Sequence, residues 1–356
     1  MPTRIAIDCR SLQDASRLRG IGNVVKHLLP ELAPLLPTMV ILSTAEGPDI
    51  DTPLPVLRWP KTEDLETFLR RNSVCHLHFM AQYNVPADFT FPHSVTVHDL
   101  FNWHRWVNPK KDWATQQALV SRLRNANFLF TVSEFTKSEL VTRHGVSPEL
   151  IHVTYPGQNT HLQAENRPDR PSPFPFPYIL SIGNFEPRKN LSNMIKAVLL
   201  ANKSRSEKLH FVAVQSRGNI IQLAIHWLQI AWAGQSRYFH FLGWVSDELL
   251  TDLYQNTRLF CFVSRAEGFG LPLLEAMPFD IPILTSTRTA LPEVGQNGVA
   301  YADPESITDI ATQIGQLLDH PAISPDLRAK RQATLAQFTY ARMAQEMLRI
   351  FNQNAV

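Results

Sequence analysis

A chain of 356 residues that is 44% hydrophobic and 19% charged is long for one domain and describes an ordinary soluble globular protein with two α/β cores. Its net charge of +2 excludes recognition of nucleic acid through bulk charge, so any basic patch is local. Cys9, Cys75 and Cys261 are odd in number and far apart, which argues against a disulfide framework and for buried free thiols in a reducing compartment.

The N-terminus enters a strand at 4–8 with no apolar core of signal-peptide length, and no stretch reaches the roughly 20 apolar residues of a membrane span. The expected location is therefore the cytoplasm. A loop with Gly20 and Gly22 follows the strand, and then a helix with Val24, Val25, Leu28, Leu29 and Leu32 as its apolar positions. The loop lies at a strand's carboxyl end, where open α/β sheets bind ligands, and its glycines allow close backbone approach; a tight turn without a ligand is an equal alternative. Strands are expected at 39–43 and 75–79 with a helix at 62–71 between them. His76 and His78 read as packed residues rather than metal ligands. Asp49 and Asp51 formally offer a metal-binding pair, but they sit in a loop with Pro48, Pro53 and Pro55, away from any strand end, and read as solvated.

The run 94–100 reads as a strand ending in His98 and Asp99, a polar pair at the ligand end of the sheet, with Asp99 placed to accept from the His98 ring. Segment 103–113 is basic and aromatic, a surface suited to a lipid-linked acceptor or to peripheral contact with an anionic membrane. The alternative is a loop with packed tryptophans. Strands at 128–132 and 151–155 flank a helix that Ser133 caps. Pro168, Pro171, Pro173, Pro175 and Pro177 then favour an extended connection, which divides the chain into a first domain at 1–165, a linker at 166–177 and a second domain at 178–335.

The second half restarts with a strand at 178–182 and a loop in which Arg188 and Lys189 precede a helix near Leu191, where two cations would neutralise a diphosphate. Strands at 210–214 and 238–242 follow, with an apolar helix at 221–231 between them, and Ser246 caps the next helix. The chain is organised around 259–277: a strand at 259–263, a turn with Gly268 and Gly270, and a helix from about Leu271 with Pro272 in its first turn. The amides of Phe269, Gly270 and Leu271 converge on a point that suits a phosphate, and Glu267 and Glu275 flank it as acceptors for sugar hydroxyls. Pro278 and Pro282 stop this helix early. A strand at 281–285, loops at 286–294 and 300–304, an amphipathic helix at 306–318 and one or two helices at 327–352 complete the chain.

The run from Glu267 to Glu275, Glu-Gly-Phe-Gly-Leu-Pro-Leu-Leu-Glu, resembles the Glu-x7-Glu signature of retaining family-four glycosyltransferases, glycosyl transferases group 1, with the GT-B fold. Gly-Ile-Gly at 20–22, Val-His-Asp-Leu at 97–100 and Glu-Pro-Arg-Lys-Asn at 186–190 resemble further motifs of that family, the last in a form similar to mannosyl- and rhamnosyl-transferring members. The resemblance implies two Rossmann-like, doubly wound parallel sheets facing each other across a cleft. The acceptor would bind the N-terminal domain and the nucleotide sugar the C-terminal one, and the last helix, at 336–356, would cross back to the first domain.

The same resemblance implies transfer of a hexose, without a metal or other cofactor, from a nucleotide sugar to a saccharide or lipid-linked acceptor in surface polysaccharide or glycan synthesis, with GDP-mannose the favoured donor. By that resemblance, His98 contacts the donor sugar, and Gly20 and Gly22 approach the donor diphosphate and the acceptor. Arg188, Lys189 and the amides of Phe269, Gly270 and Leu271 take the charge of the leaving group. Glu267 holds sugar hydroxyls, Glu275 the ribose, and Val245 lies by the base. Asn184 departs from the pattern, since many members carry Arg there, so Arg188 is expected to supply the second cation. Phe279 and Asp280 replace a small-residue pattern, which implies a rebuilt helix exit. Three other readings stay open: a glycoside hydrolase with Glu267 and Glu275 as its carboxylate pair, an epimerase acting on a nucleotide sugar, and an inactive scaffold.

Overall fold

A computed structural model describes residues 4–14, 20–101, 113–159, 162, 171–214, 228 and 230–354. They form two compact units, Met1–Gly157 with Phe338–Val356, and Gln158–Gln337. The units divide at Gly157, ahead of the proline run. The described part of that run, residues 171–177, packs within the second unit, where Phe176 stacks on His210 with ring centroids 3.7 Å apart.

Seven parallel strands build the first unit: β1 (Arg4–Asp8), β2 (Val40–Thr44), β3 (Val56–Trp59), β4 (Val74–Phe79), β5 (His93–Val97), β6 (Phe128–Thr131) and β7 (Ile151–Val153), in the order β3-β2-β1-β4-β5-β6-β7. Every residue of β2, β5 and β6 is buried, the signature of a parallel sheet covered on both faces. Helices α1 (Gly20–Leu32), α2 (Leu65–Arg71), α3 (Trp113–Arg124) and α4 (Glu134–His144) alternate with the strands. Ser133 caps α4, its Oγ accepting from the Thr136 amide at 3.1 Å, and Gly145 ends it in the left-handed region at φ 62°.

Two expectations change here. Gly20 and Gly22 lie in the first turn of α1 and not in a preceding loop, because Gly22 continues the buried face of Val25 and Leu29. The prolines at 53 and 55 conceal an edge strand: the Pro55 carbonyl accepts from the Ile41 amide at 2.8 Å, and β3 pairs with β2 on one side alone, where a neighbouring proline is tolerated. Asp49, largely exposed, makes an ion pair with Arg58 of that strand.

The second unit repeats the winding with β8 (Tyr178–Ile182), β9 (His210–Val214), β10 (Phe239–Leu242), β11 (Leu259–Phe262), β12 (Ile283–Ser286) and β13 (Ala300–Ala302), in the order β10-β9-β8-β11-β12-β13. Its helices include α5 (Leu191–Ser204), α6 (Asp247–Asn256), α7 (Leu271–Ala276), α8 (Leu291–Gly295), α9 (Ile307–Asp319) and α10 (Pro325–Leu335). Residues 300–302, expected as a loop, are a strand whose register on β12 pairs Leu284 with Ala300. All but the last residue of the basic aromatic segment at 103–113 and most of the apolar helix at 221–231 lie outside the described residues. Among the described residues no helix is long and apolar enough to cross a membrane.

The last helix, α11 (Tyr340–Gln353), belongs to the first unit. Its Phe351 sets its ring against His76 and His78 at centroid distances of 6.1 and 5.8 Å, and all three are buried. Three of their ring nitrogens find partners along the sheet: His76 Nε2 and His78 Nδ1 each pair with Ser94 Oγ at 2.9 Å, and His78 Nε2 pairs with Thr96 Oγ1 at 2.9 Å. They are core residues. Burial, with a contribution from His93, pushes His76 down to about 3, and burial together with the neighbouring histidines holds His78 well below its ordinary value. Both groups therefore contribute stability that is complete above pH 6.5 and is lost as the pH falls, since the unfolded chain takes protons that the native core refuses. Each is expected to cost about 1 kcal/mol per pH unit below that point. Calorimetry at pH 5.5 in buffers of different ionisation enthalpy is expected to show uptake of about two or more protons on unfolding. Unfolding without proton uptake would contradict this assignment.

Candidate active site

In both sheets the winding direction reverses beside the first strand, between β1 and β4 and between β8 and β11. Loops leaving the carboxyl ends of such a pair diverge and leave room for a ligand. In the second unit those loops carry Arg188 and Lys189, after β8, and Glu267, after β11; the register brings Leu259 beside Ile179 and Phe260 beside Leu180.

The first loop is shaped by Pro187, which opens a single 3-10 turn over Pro187–Lys189, and by Asn190, which ends it in the left-handed region at φ 58°. Asn tolerates that conformation, and its buried amide uses it: Asn190 Nδ2 donates to the carbonyls of Val263 at 2.9 Å and Pro304 at 2.8 Å. The Arg265 amide donates to the Arg188 carbonyl at 2.7 Å, while the Glu267 amide donates to Thr289 Oγ1 at 3.0 Å. Loops following β8, β11, β12 and β13 are thus tied together by hydrogen bonds that the backbone makes with itself and with the side chains of Asn190 and Thr289.

Within this frame Glu267 Oε1 and Oε2 accept from Lys189 Nζ at 2.7 and 2.9 Å, and Oε2 also accepts from Arg188 Nη1 at 3.1 Å. Arg188 Nε donates to Glu186 Oε2 at 2.6 Å, and Lys189 Nζ lies 5.5 Å from the centre of the Phe262 ring. Burial raises the Glu267 carboxyl, but the charges of Lys189 and Arg188 outweigh it and hold the group below the usual carboxylate range. Burial also lowers Lys189, which Glu267 opposes. The four charges cancel, so the cluster is a neutral and largely buried assembly.

Glu275 stands differently. It lies on α7, is buried, and accepts from the Tyr254 hydroxyl at 3.2 Å through Oε2. Burial pushes it up to about 7, with Asp247 adding to the rise and Tyr254 opposing it. Tyr254 stacks in turn on Phe279 at 5.4 Å, and the Phe279 carbonyl accepts from Arg331 Nη1 at 3.2 Å. This packing surrounds the exit of α7. Gly270, at φ 118°, caps that helix, and a Cβ there would lie 2.8 Å from Leu291 Cδ2.

Residues 163–335 match the family described as Glycosyl transferases group 1, and residues 19–162 match Glycosyltransferase Family 4. The chain belongs to the family 4, group 1 glycosyltransferases. The O-antigen chain mannosyltransferase B of Escherichia coli is 28% identical over 63% of this chain and 60% of that protein. The MMP α-(1→4)-mannosyltransferase of Mycolicibacterium hassiacum is 32% identical over 54% of this chain and 46% of that protein. The chain thus matches about half the length of these relatives. The structure of Anabaena HepE in complex with UDP and glucose is similar in fold, with a TM-score of 0.72 at 15% identity over 99% of this chain and 100% of that one. The two Rossmann-like sheets are those of a GT-B glycosyltransferase.

Of the residues singled out in this family 4 sequence, Arg188, Lys189 and Glu267 come together in one cluster, although the sequence assigns the cations to the diphosphate and Glu267 to the sugar. Phe269, Gly270 and Leu271 share the loop and helix start that follow, and Val245, half-buried, directly precedes the N-cap Ser246 of α6, the helix that bears Tyr254. His98, Gly20 and Gly22 belong to the first unit. His98 follows β5 and is buried; its Nε2 donates to the Met80 carbonyl at 2.8 Å, and burial holds its pKa below the ordinary value, so the ring is neutral. Asp99 is not its orienting partner. The Asp99 carboxylate accepts from the Phe101 amide at 3.3 Å, and the Asp99 carbonyl accepts from Gln82 Nε2 at 2.8 Å.

Glu186, Asn190, Tyr254 and Thr289 were not singled out from sequence. Glu186 and Asn190 bracket the basic pair, so proximity alone was a usable signal for them, whereas Tyr254 and Thr289 reach the site only through tertiary packing. Because Glu275 sits above its unfolded value of 4.5, the stability that this group contributes is complete below that pH and is lost as the pH rises to about 7, by about 3 kcal/mol in full. Glu275→Gln removes that fall. Its melting temperature is expected to exceed the wild type's by several degrees at pH 8 and by much less at pH 5; equal shifts at both would show that Glu275 does not titrate in this range.

Proposed function

We propose that the chain is a retaining, metal-independent glycosyltransferase that moves a hexose, with mannose from GDP-mannose the favoured donor, to a saccharide or lipid-linked acceptor. One observation carries the reading: Arg188 and Lys189 converge on a carboxylate at the point where the second sheet reverses its winding. A planar guanidinium and an ammonium side by side suit two phosphoryl groups better than a neutral sugar. Similarity to the mannosyltransferases of E. coli and M. hassiacum supports mannose, and similarity to HepE, bound to UDP and glucose, supports a nucleotide sugar.

Glu267 pairs with both cations, and Glu186 balances the charge that remains. A donor diphosphate, with more charge and more acceptor oxygens, competes for the same N–H groups and releases the carboxylate toward the sugar hydroxyls. When the glycosidic bond to the diphosphate breaks, Lys189 and Arg188 stabilise the charge that develops on the leaving oxygen, with the amides of Phe269, Gly270 and Leu271 as further donors; no metal enters this account. Glu275 accepts from the ribose hydroxyls, and Val245 lies by the base. His98 and the glycines of α1 keep the roles that family resemblance gives them, on the donor sugar and the diphosphate. The segment at 103–113 is proposed as a peripheral contact with lipid-linked acceptor or membrane.

A second reading has its own observation. The environments of Glu267 and Glu275 push their pKa values apart, the pattern of a general acid with an ionised partner, and a hydrolase would use such a pair. It leaves the basic pair without a purpose. The protein is to be incubated with GDP-mannose and, separately, with a neutral mannoside; GDP release that persists after EDTA treatment is expected, and cleavage of the mannoside alone overturns the proposal. Lys189→Ala is expected to weaken binding of the nucleoside diphosphate by roughly tenfold or more by calorimetry. Glu267→Gln is expected to lower turnover by about a hundredfold while changing nucleotide affinity much less. Unchanged GDP affinity in the first variant removes Lys189 from the phosphate site, and retained turnover in the second removes Glu267 from the centre.

A further inference from the structure

The basic pair is braced unequally. Lys189 is held by both oxygens of Glu267 and lies over Phe262. Arg188 has a longer side chain, and a guanidinium grips phosphate well only when its plane is fixed in advance. A chain of three alternate residues supplies that fixation. Asn184 Nδ2 donates to Glu186 Oε1 at 2.5 Å, the Glu186 amide donates back to Asn184 Oδ1 at 3.2 Å, and Glu186 Oε2 accepts from Arg188 Nε at 2.6 Å. The carboxylate holds the guanidinium by the nitrogen nearest its stem, and Nη1, at the other end, reaches Glu267. Pro187 fixes the turn between them, which starts from Glu186 in an extended conformation at φ −64° and ψ 139°.

We infer that Glu186, braced by Asn184, is a positioning residue that presents the Nη1 end of Arg188 to the diphosphate of the donor. The inference rests on the transferase reading above and adds to it a division of the loop into a ligand-facing pair, Arg188 and Lys189, and a supporting pair, Asn184 and Glu186. A carboxylate this close to a phosphate site has an opposite effect available to it, repulsion of the ligand and competition for Arg188. Orientation prevails because Glu186 grips the stem side of the guanidinium, and because the Asn184 amide takes its second oxygen. Arg188 and Asn184 together outweigh burial and hold the Glu186 carboxyl below the usual range, so it stays charged wherever the enzyme works near neutrality.

The sign of the effect decides the matter. GDP, UDP and ADP are titrated into the full-length wild type by calorimetry, and the nucleotide that binds is carried through Arg188→Ala, Glu186→Ala, the isosteric Glu186→Gln, Glu186→Asp, Asn184→Ala and the double variant of positions 186 and 188. Arg188→Ala and both neutral substitutions of Glu186 are expected to weaken binding by about tenfold, and Asn184→Ala by about threefold. Glu186→Asp recovers part of the loss. The double variant binds no more weakly than Arg188→Ala alone, because Glu186 acts only through that side chain. Tighter or unchanged binding in Glu186→Ala and Glu186→Gln overturns the inference while leaving the transferase reading intact, as do losses that multiply in the double variant. A wild type that binds none of the three nucleotides overturns both.

Discussion

The second unit depends on one buried ionic assembly, Glu267 with Lys189 and Arg188. Taking three charges out of water is costly, and removing one partner of such a set typically costs about 3–5 kcal/mol because another is left buried and unpaired. An arrangement this expensive persists only where the surrounding backbone dictates it. Here Asn190, Arg265 and Thr289 do so, through hydrogen bonds that stitch four strand-end loops into one surface. The cations are consequently positioned before any ligand arrives, which is what stabilisation of a leaving group requires.

Why the assembly lies where it does follows from the winding of the sheet. With β8 and β11 adjacent and their crossovers running in opposite directions, the loops that leave their carboxyl ends part from each other. Each loop then opens a helix, α5 from Asn190 and α7 from Gly270. The left-handed conformations at those two positions turn the chain sharply next to Lys189 and three residues after Glu267, and these two side chains meet. Topology supplies the space, and two unusual backbone conformations direct the contents into it.

Much of this was legible in the chain itself. Apolar runs such as Tyr-Ile-Leu-Ser-Ile at 178–182 and His-Phe-Val-Ala-Val at 210–214 place β8 and β9 at the expected residues, because a strand buried on both faces has no alternation to confuse and its flanking polar turns are distinct. The short strands β3 and β13 were hidden, one behind prolines and the other by its three-residue length; their existence is decided by the neighbour they pair with, which is a tertiary fact. The site divides along the same line. Residue identities at 186–190 and 267–275 announced cations and carboxylates, but not that a single carboxylate would bind both cations, nor that Asp99 would leave His98 to the Met80 carbonyl.

Glu267 and Glu275 make the argument concrete. They belong to one short segment, and by sequence they are the same residue type flanking the same glycine turn. Glu267 precedes the turn and meets two cations, so its charge survives burial; Glu275 is on α7, meets a tyrosine hydroxyl and an apolar ring stack, and lies near the point of half-ionisation at neutral pH. A carboxylate already paired with two cations can be displaced from them by an anion that carries more charge and more acceptor oxygens. A carboxyl poised near neutrality is drawn into its ionised form by any ligand that offers it hydroxyl donors. In the proposed transferase, the first suits a residue that waits until a diphosphate displaces it, and the second a residue that grips a ribose only when one is present.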